Sequence, residues 1–311
     1  MTARPSVLMV FTGGTISMRV VPGRGAMPAR GGREILDAVP KVADLAAVTF
    51  EDFDRLPGPH WTPARMMDLA AHLDDRLGEA GFAGAVVTHG TDTIEETAYL
   101  LDLVLAAEVP VVLTGAMKTA DDPEWDGPAN LLDAVRAVVR LTGQGGSVGV
   151  MMGGTLHPAR SVRKAHTQAF TAFTSGARQD GARERILSRR IEERVDLVTA
   201  SVGADARFLR HAVATGARGI VVEALGRGNV PPAMLEGVRE AVAAGVPVVI
   251  ASRCGDGATA PQYGYDGGGV TLQAAGAIFA GDLTPAKARI KLMVLLGTGA
   301  DDAALRSRFP R

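Results

Sequence analysis

Threonine stands twice in this 311-residue chain directly behind a glycine pair that ends an apolar run. The first instance is "LMVFTGGTISM", Leu8 to Met18, which carries Thr15; the second is "GVMMGGTLHPA", Gly149 to Ala159, which carries Thr155. A threonine hydroxyl is a small nucleophile once a base takes its proton. Glycine pairs also serve plain turns and close backbone packing, and Gly-rich loops also cradle phosphates. The phosphate reading finds no support elsewhere. The chain has no Gly-x-x-x-x-Gly-Lys-Thr and no Gly-x-Gly-x-x-Gly between a strand and a helix, and "GRGNVP", Gly226 to Pro231, is too short a signal. Nucleotide binding is not expected.

A second stretch, "VVTHGTDTIEETAYLLD" from Val86 to Asp102, holds His89, Thr91 and Asp92 after another apolar run. On local grounds it reads as a helix start. Thr91 or Asp92 makes a good N-cap, Asp92 and Glu95 have capping-box spacing, and acids in a first turn suit the helix macrodipole. The histidines, His60, His72, His89, His157, His166 and His211, show no metal-ligand spacing and no partnering carboxylate or cysteine cluster. No metal is assigned. The single cysteine, Cys254, excludes an intrachain disulfide framework, and "SRCGDG" gives it no catalytic partner nearby.

The elements that must position these residues follow from periodicity. Short apolar, valine-rich runs lie at Val7–Phe11, Gly84–Thr88, Pro110–Thr114, Ser147–Met152, Asp196–Ala200, Gly219–Glu223 and Pro247–Ala251. Such runs predict strands buried on both faces, as in parallel sheets. Amphipathic stretches between them, among them Pro63–Leu77 and Ile94–Leu105, predict helices. Alternating strand and helix predicts a doubly wound α/β fold, whose ligands bind beyond the carboxyl ends of the strands. Thr15 and the His89–Asp92 loop both fall at such ends. Around Thr174–Glu193 the pattern lapses into a charged stretch that lacks a strand. The expected organisation is a larger N-terminal α/β domain over 1–175, a linker over 176–194 and a smaller C-terminal α/β domain over 195–311. The flanks of the two Gly-Gly-Thr copies differ, so no tandem repeat follows.

Bulk properties remove several classes of partner. The net charge is −1, with lysine and arginine scattered, which leaves no electrostatic footprint for nucleic acid or a membrane surface. No segment reaches the ~20 apolar residues of a membrane span, and the N-terminal apolar stretch is too short for a signal peptide. A soluble, cytoplasmic protein is expected.

Taken together, "TGGTIS" at Thr12–Ser17 and "THGTDTIEETAYLLDL" at Thr88–Leu103 resemble the bacterial-type L-asparaginase family. Two such motifs in this order, about 75 residues apart and each behind a buried strand, form a specific signature. The likeness continues through "PVVLTGAMKTADDPEWDGPANLLDAV" (Pro110–Val135), "SVRK" (Ser161–Lys164), "GRGN" (Gly226–Asn229) and "GDLTPAKARIKLMVLL" (Gly281–Leu296), and so covers nearly the whole chain. The resemblance implies that Thr15 is the nucleophile and that Thr91, Asp92 and Lys164 are the second threonine with its aspartate and lysine partners. It implies that Asn229 is a C-domain asparagine near the active site of a neighbouring subunit. Thr155 falls where the family has a structural turn. A Thr91–Lys164 pair in a desolvated pocket can relay the nucleophile's proton, and Gly14 and Gly90 let backbone N–H groups approach a developing oxyanion. Asp92 can accept from a substrate ammonium group. No cofactor is required.

Three departures from the family pattern stand out. The mobile segment after the nucleophile usually carries a tyrosine, but "SMRVVPGRGAMPARGG" has none; Tyr99, Tyr263 and Tyr265 lie elsewhere. Arg19 or Arg24 could contribute there, though a solvated loop arginine is the plainer reading. Where the family has a serine for the substrate α-carboxylate, "LPGPHWTP" puts Gly58 with Pro59 beside it, and a glycine between two prolines can occupy a positive φ. The family's glutamate from a neighbouring subunit has no counterpart in "APQYGYDGGGVTLQ" (Ala260–Gln273).

The expected activity is hydrolysis of L-asparagine to L-aspartate and ammonia through an acyl-enzyme on Thr15. The substrate-binding set is Gly14, Gly58, Pro59, Gly90, Thr91, Asp92 and Asn229, and the assembly is a homodimer or homotetramer. The alternatives are an amidase acting on glutamine or another amide, and a non-catalytic ligand-binding protein of the same fold. A transamidation protein acting on tRNA would need an extra domain or a basic face, and neither is visible.

Overall fold

A computed structural model describes residues 4–79, 81–176 and 183–309. The chain forms two compact units, Met1–Leu187 and Ser188–Arg311, each of the α/β class.

In the first unit the strands are β1 (Ser6–Gly13), β2 (Met18–Val21), β3 (Gly25–Pro28), β4 (Ala47–Leu56), β5 (Phe82–Thr88), β6 (Val111–Thr114), β7 (Val148–Met152), β8 (Thr155–Pro158), β9 (Val162–Lys164) and β10 (Phe173–Ser175). Six of them make the main sheet, in the order β4-β1-β5-β6-β7-β8. All neighbours in it are parallel except β7 and β8. Val7, Met9 and Phe11 of β1 join Val86 and Val112 on one face, where Leu131, Val135 and Val138 of the Gly127–Leu141 helix cover them. Leu8 and Val10 on the opposite face are also fully buried. Burial on both faces is the reason these strands read as continuous apolar runs.

The chain leaves β1 for β4 on one side and later takes up β5 on the other. Strand order therefore reverses between β1 and β5, and the crevice beyond their carboxyl ends is the expected ligand position. Hydroxyls continue the pairing where the backbones part. Thr12 Oγ1 donates to the Thr88 carbonyl (2.6 Å), and Thr114 Oγ1 to the Met151 carbonyl (2.8 Å).

In the second unit β11 (Val195–Thr199), β12 (Gly219–Ala224), β13 (Val248–Ser252) and β14 (Ile278–Phe279) form one parallel sheet in that order. Its core joins Val222, Ile250 and Phe279 to Leu209, Met234 and Val238 of the flanking helices.

Of the stretch read as a linker, residues 177–182 lie outside the described residues, and 183–194 contain no helix or strand. The lapse begins two residues later than expected, because Thr174 and Ser175 pair with β9 as part of β10. Arg183 donates to the carbonyls of Asp102 (2.7 Å) and Leu101 (3.0 Å), closing the end of the Ile94–Val104 helix. Among the described residues, no helix is long and apolar enough to cross a membrane.

Candidate active site

The two Gly-Gly-Thr copies make different turns. At the end of β1, Gly13 and Gly14 both have positive φ, 105° and 82°. A Cβ on Gly14 would lie 2.6 Å from the Gly90 nitrogen, so only glycine permits the two loops to touch. Thr15 then opens a 3-10 turn, Thr15–Ser17, in which Ser17 donates to the Gly14 carbonyl through its N–H (3.0 Å) and its hydroxyl (2.8 Å). Thr15 is half-buried at the switch point. In the second copy Gly153 and Gly154, at φ 56° and 76°, form the two-residue turn between antiparallel β7 and β8. Positive φ at both positions is what a tight hairpin requires. Thr155 faces solvent and pairs with Met152.

The loop after β5 is bound from beneath. His89 is fully buried; its Nδ1 lies 2.9 Å from the Gly90 carbonyl and its Nε2 3.0 Å from Thr97 Oγ1. Its ring lies 4.6 Å from that of Trp61. Burial pushes the imidazole down to about 4, so the ring is neutral near pH 7. A carbonyl only accepts, so Nδ1 carries the proton and Nε2 accepts from the Thr97 hydroxyl.

The capping box expected from Asp92 and Glu95 is not formed. The N-cap of the Ile94–Val104 helix is Thr93, with no side-chain capping bond. All three side chains are engaged elsewhere: Thr93 Oγ1 donates to the Gly58 carbonyl (2.9 Å), and both carboxylates meet Lys164.

Lys164 ends β9, which pairs only with β10 among the described residues. Its Nζ donates to Thr91 Oγ1 at 2.9 Å and to Asp92 Oδ1 at 2.8 Å, while its backbone N–H donates to Glu95 Oε2 at 2.6 Å. The lysine side chain is 17% exposed and that of Asp92 61%. Thr91 is buried and Asp92 exposed, so Lys164 Nζ links a hydroxyl shielded from solvent to an accessible carboxylate. This arrangement can move a proton to or from Thr91 and leaves the outer carboxylate oxygen for a cationic ligand group.

Gly58 lies in a 3-10 turn, Gly58–His60, that rests on the same loop. A Cβ on Gly90 would come 2.6 Å from the Gly58 nitrogen. The positive φ considered for Gly58 does not occur. Pro59 is exposed in this turn and has no N–H to offer a ligand. The segment after Thr15 folds as the β2–β3 hairpin. Asp121 accepts from the Val20 N–H (2.8 Å) and faces Arg19 (3.8 Å), and the Arg24 N–H closes the hairpin turn onto Val21.

The structure therefore brings Gly14, Gly58, Gly90, Thr91, Asp92 and Lys164 into one continuous set of contacts, with Thr15 next to Gly14. Asn229 belongs to the second unit. There its Oδ1 accepts from the Gly269 N–H (3.3 Å) and its N–H donates to the Leu225 carbonyl, fixing the Gly226–Asn229 turn. Two residues of the site are not legible in the sequence. His89 reads only as a lone histidine at the end of an apolar run, and Glu95 is masked by its capping-box spacing. Among the described residues, no group of three His, Cys, Asp or Glu side chains comes together to hold a metal ion.

Residues 6–192 match the family model of the asparaginase N-terminal domain, and residues 194–309 that of the glutaminase/asparaginase C-terminal domain. The chain is 39% identical to a probable L-asparaginase from Deinococcus radiodurans, over 98% of this chain and 97% of that protein. It is 34% identical to an L-asparaginase from Bacillus licheniformis (94% and 95% covered). It is also 32% identical to one component of a glutamyl-tRNA(Gln) amidotransferase from Halobacterium salinarum (96% and 77% covered). Among solved structures, a probable cytoplasmic L-asparaginase from Campylobacter jejuni superposes with a TM-score of 0.84 at 27% identity, over 98% of each chain. The chain belongs to the asparaginase family of hydrolases.

Proposed function

We propose that this protein hydrolyses L-asparagine to L-aspartate and ammonia through an acyl-enzyme on Thr15. The hydroxyl oxygen of Thr15 attacks the side-chain amide carbon; its proton passes through the Thr91 hydroxyl to Lys164, acting as the amine, which hands it to the departing nitrogen. Ammonia is released and an ester on Thr15 remains. Water then attacks the ester carbon, aspartate leaves, and Thr15 regains its proton. Backbone N–H groups beside Gly14 and Gly90 face the developing oxyanion, and Asp92 accepts from the substrate ammonium group. The observation that carries this reading is Lys164 Nζ bonded to both Thr91 and Asp92 at the sheet end where strand order reverses. The names of the Deinococcus and Bacillus relatives support asparagine as the substrate. Ammonia release by the purified protein from a panel of amides is the test.

A second reading within the same chemistry is an amidase for glutamine or another amide. Gly58, with no hydroxyl to fix an α-carboxylate, favours amides in which that carboxylate is absent or altered, and it weighs equally on asparagine and glutamine, which share it. We further propose a cytoplasmic homo-oligomer, dimer or tetramer, in which Asn229 serves a neighbouring subunit's site. The cytoplasmic assignment draws on the Campylobacter neighbour.

A further inference from the structure

Glu95 has no role in the chemistry just described, yet its carboxylate departs from the helix it could have capped. Its Oε2 accepts the backbone N–H of Lys164 at 2.6 Å, across 69 residues of sequence. The same lysine's Nζ reaches Thr91 and Asp92. Lys164 is thus held at both ends, backbone and ammonium, by one five-residue segment, Thr91–Glu95. The strand it ends is short: β9 has three residues and pairs only with the three of β10 among the described residues, and the Ala165 and His166 N–H groups that follow both go to the Ala172 carbonyl. Glu95, by contrast, stands in the first turn of the eleven-residue Ile94–Val104 helix, most of whose residues are buried.

We infer that Glu95 is a positioning residue, fixing the backbone from which the Lys164 side chain reaches Thr91. The inference rests on the amidase reading above. Lysine is a point charge on a flexible four-carbon stem, so the place of its ammonium depends on where its backbone is anchored. A carboxylate accepting a backbone N–H makes a charge-assisted bond, stronger than the neutral bonds of the β9–β10 ladder. With the anchor on the helix that follows Asp92, the hydroxyl, the carboxylate and the ammonium share one rigid frame. Displacement by about 1 Å of a group that handles the reacting proton can cost on the order of a hundredfold in rate.

The test compares ammonia release from L-asparagine by wild type, Glu95→Ala, Glu95→Gln, Lys164→Met and the Glu95→Ala/Lys164→Met double variant. Beside it, the rate of Lys164 acetylation by acetic anhydride is followed by mass spectrometry. Glu95→Ala is expected to lower kcat by roughly tenfold or more with KM within about threefold, and Glu95→Gln, which keeps an acceptor oxygen, to restore most of the loss. The double variant should be no slower than Lys164→Met alone, because a residue acting through Lys164 has nothing left to act on. Lys164 should be acetylated several-fold faster in Glu95→Ala than in wild type. Independent, multiplying losses in the double variant, or a KM change with kcat intact, would overturn the inference. If wild type releases no ammonia from any amide, the amidase reading fails, and with it the effect of Glu95 on turnover. In that case acetylation alone reports on the anchor, and equal Lys164 reactivity in wild type and Glu95→Ala would remove that too.

Discussion

Thr93 Oγ1 donates to the Gly58 carbonyl at 2.9 Å, which fastens the turn after β4 onto the loop after β5. This bond places Gly58 so that an added Cβ would lie 3.3 Å from Thr93 Oγ1, 3.4 Å from Asp92 Cβ and 3.5 Å from the Gly90 carbonyl. The fit is tight, but a few tenths of an ångström of adjustment accommodates it, and the backbone is not left-handed. Gly58→Ser is therefore expected to fold and to present a hydroxyl beside Asp92. Hydrogen bonds to charged groups contribute ~1.5–3 kcal/mol, so KM for L-asparagine should fall by about tenfold or more. KM for a carboxylate-blocked analogue should not change. Equal KM values in both proteins would show that another group holds the carboxylate.

Replacing Lys164 with methionine keeps an unbranched four-atom stem and removes the terminal nitrogen. Loss of an acid–base group costs ~10²-fold or more, and the loss should fall on kcat with a smaller effect on KM. Steady-state kinetics with L-asparagine check this. A wild-type kcat in Lys164→Met would take the lysine out of the mechanism.

The buried histidine gives a pH prediction of definite sign. Folding holds His89 at about 4 instead of 6.5, so between these values the unfolded chain binds a proton that the folded protein does not. The stability involved is complete above about pH 6.5 and is lost as pH falls toward 4, up to ~3 kcal/mol in all. His89→Gln removes this titration while other groups remain. Urea unfolding at pH 7 and pH 4.5 should show wild type losing ~2 kcal/mol more than the variant. Parallel losses would show that His89 is not held neutral.

Mass in solution tests the assembly. Light scattering should give two or four times the mass of one chain. A fully active monomer at assay concentration would show that Asn229 serves no neighbouring site.

What the sequence discloses follows burial. The β1, β5, β6 and β7 runs are apolar on both faces and read as strands at once, and so do their carboxyl-end loops as ligand positions. β4, "AVTFEDFDRL", does not, because it is an edge strand with carboxylates along it. Glu51 and Asp54 there take up Arg76 (2.7 Å) and Arg65 (2.8 Å) from the Pro63–Gly78 helix, partners that no local pattern reveals. The site shows the same limit. Asp92 and Glu95 obey the local grammar of a helix start, but each bonds to a lysine about 70 residues further on, and tertiary contact overrides the cap. The motif resemblance links Lys164 to Thr91 and Asp92 and carries no comparable hint for Glu95.

On the proposed mechanism, one of two identical tripeptides does chemistry and the other only turns the chain. Ammonia release from L-asparagine by wild type, Thr15→Ala and Thr155→Ala, each checked for folding by circular dichroism, separates the two roles. Thr15 stands half-buried in the crevice between β1 and β5, and its replacement should abolish turnover and leave the fold intact. Thr155 faces solvent on a hairpin, and its replacement should leave activity within a few-fold of wild type. Turnover by a folded Thr15→Ala protein, with Thr155→Ala inactive, would invert the assignment of the two copies.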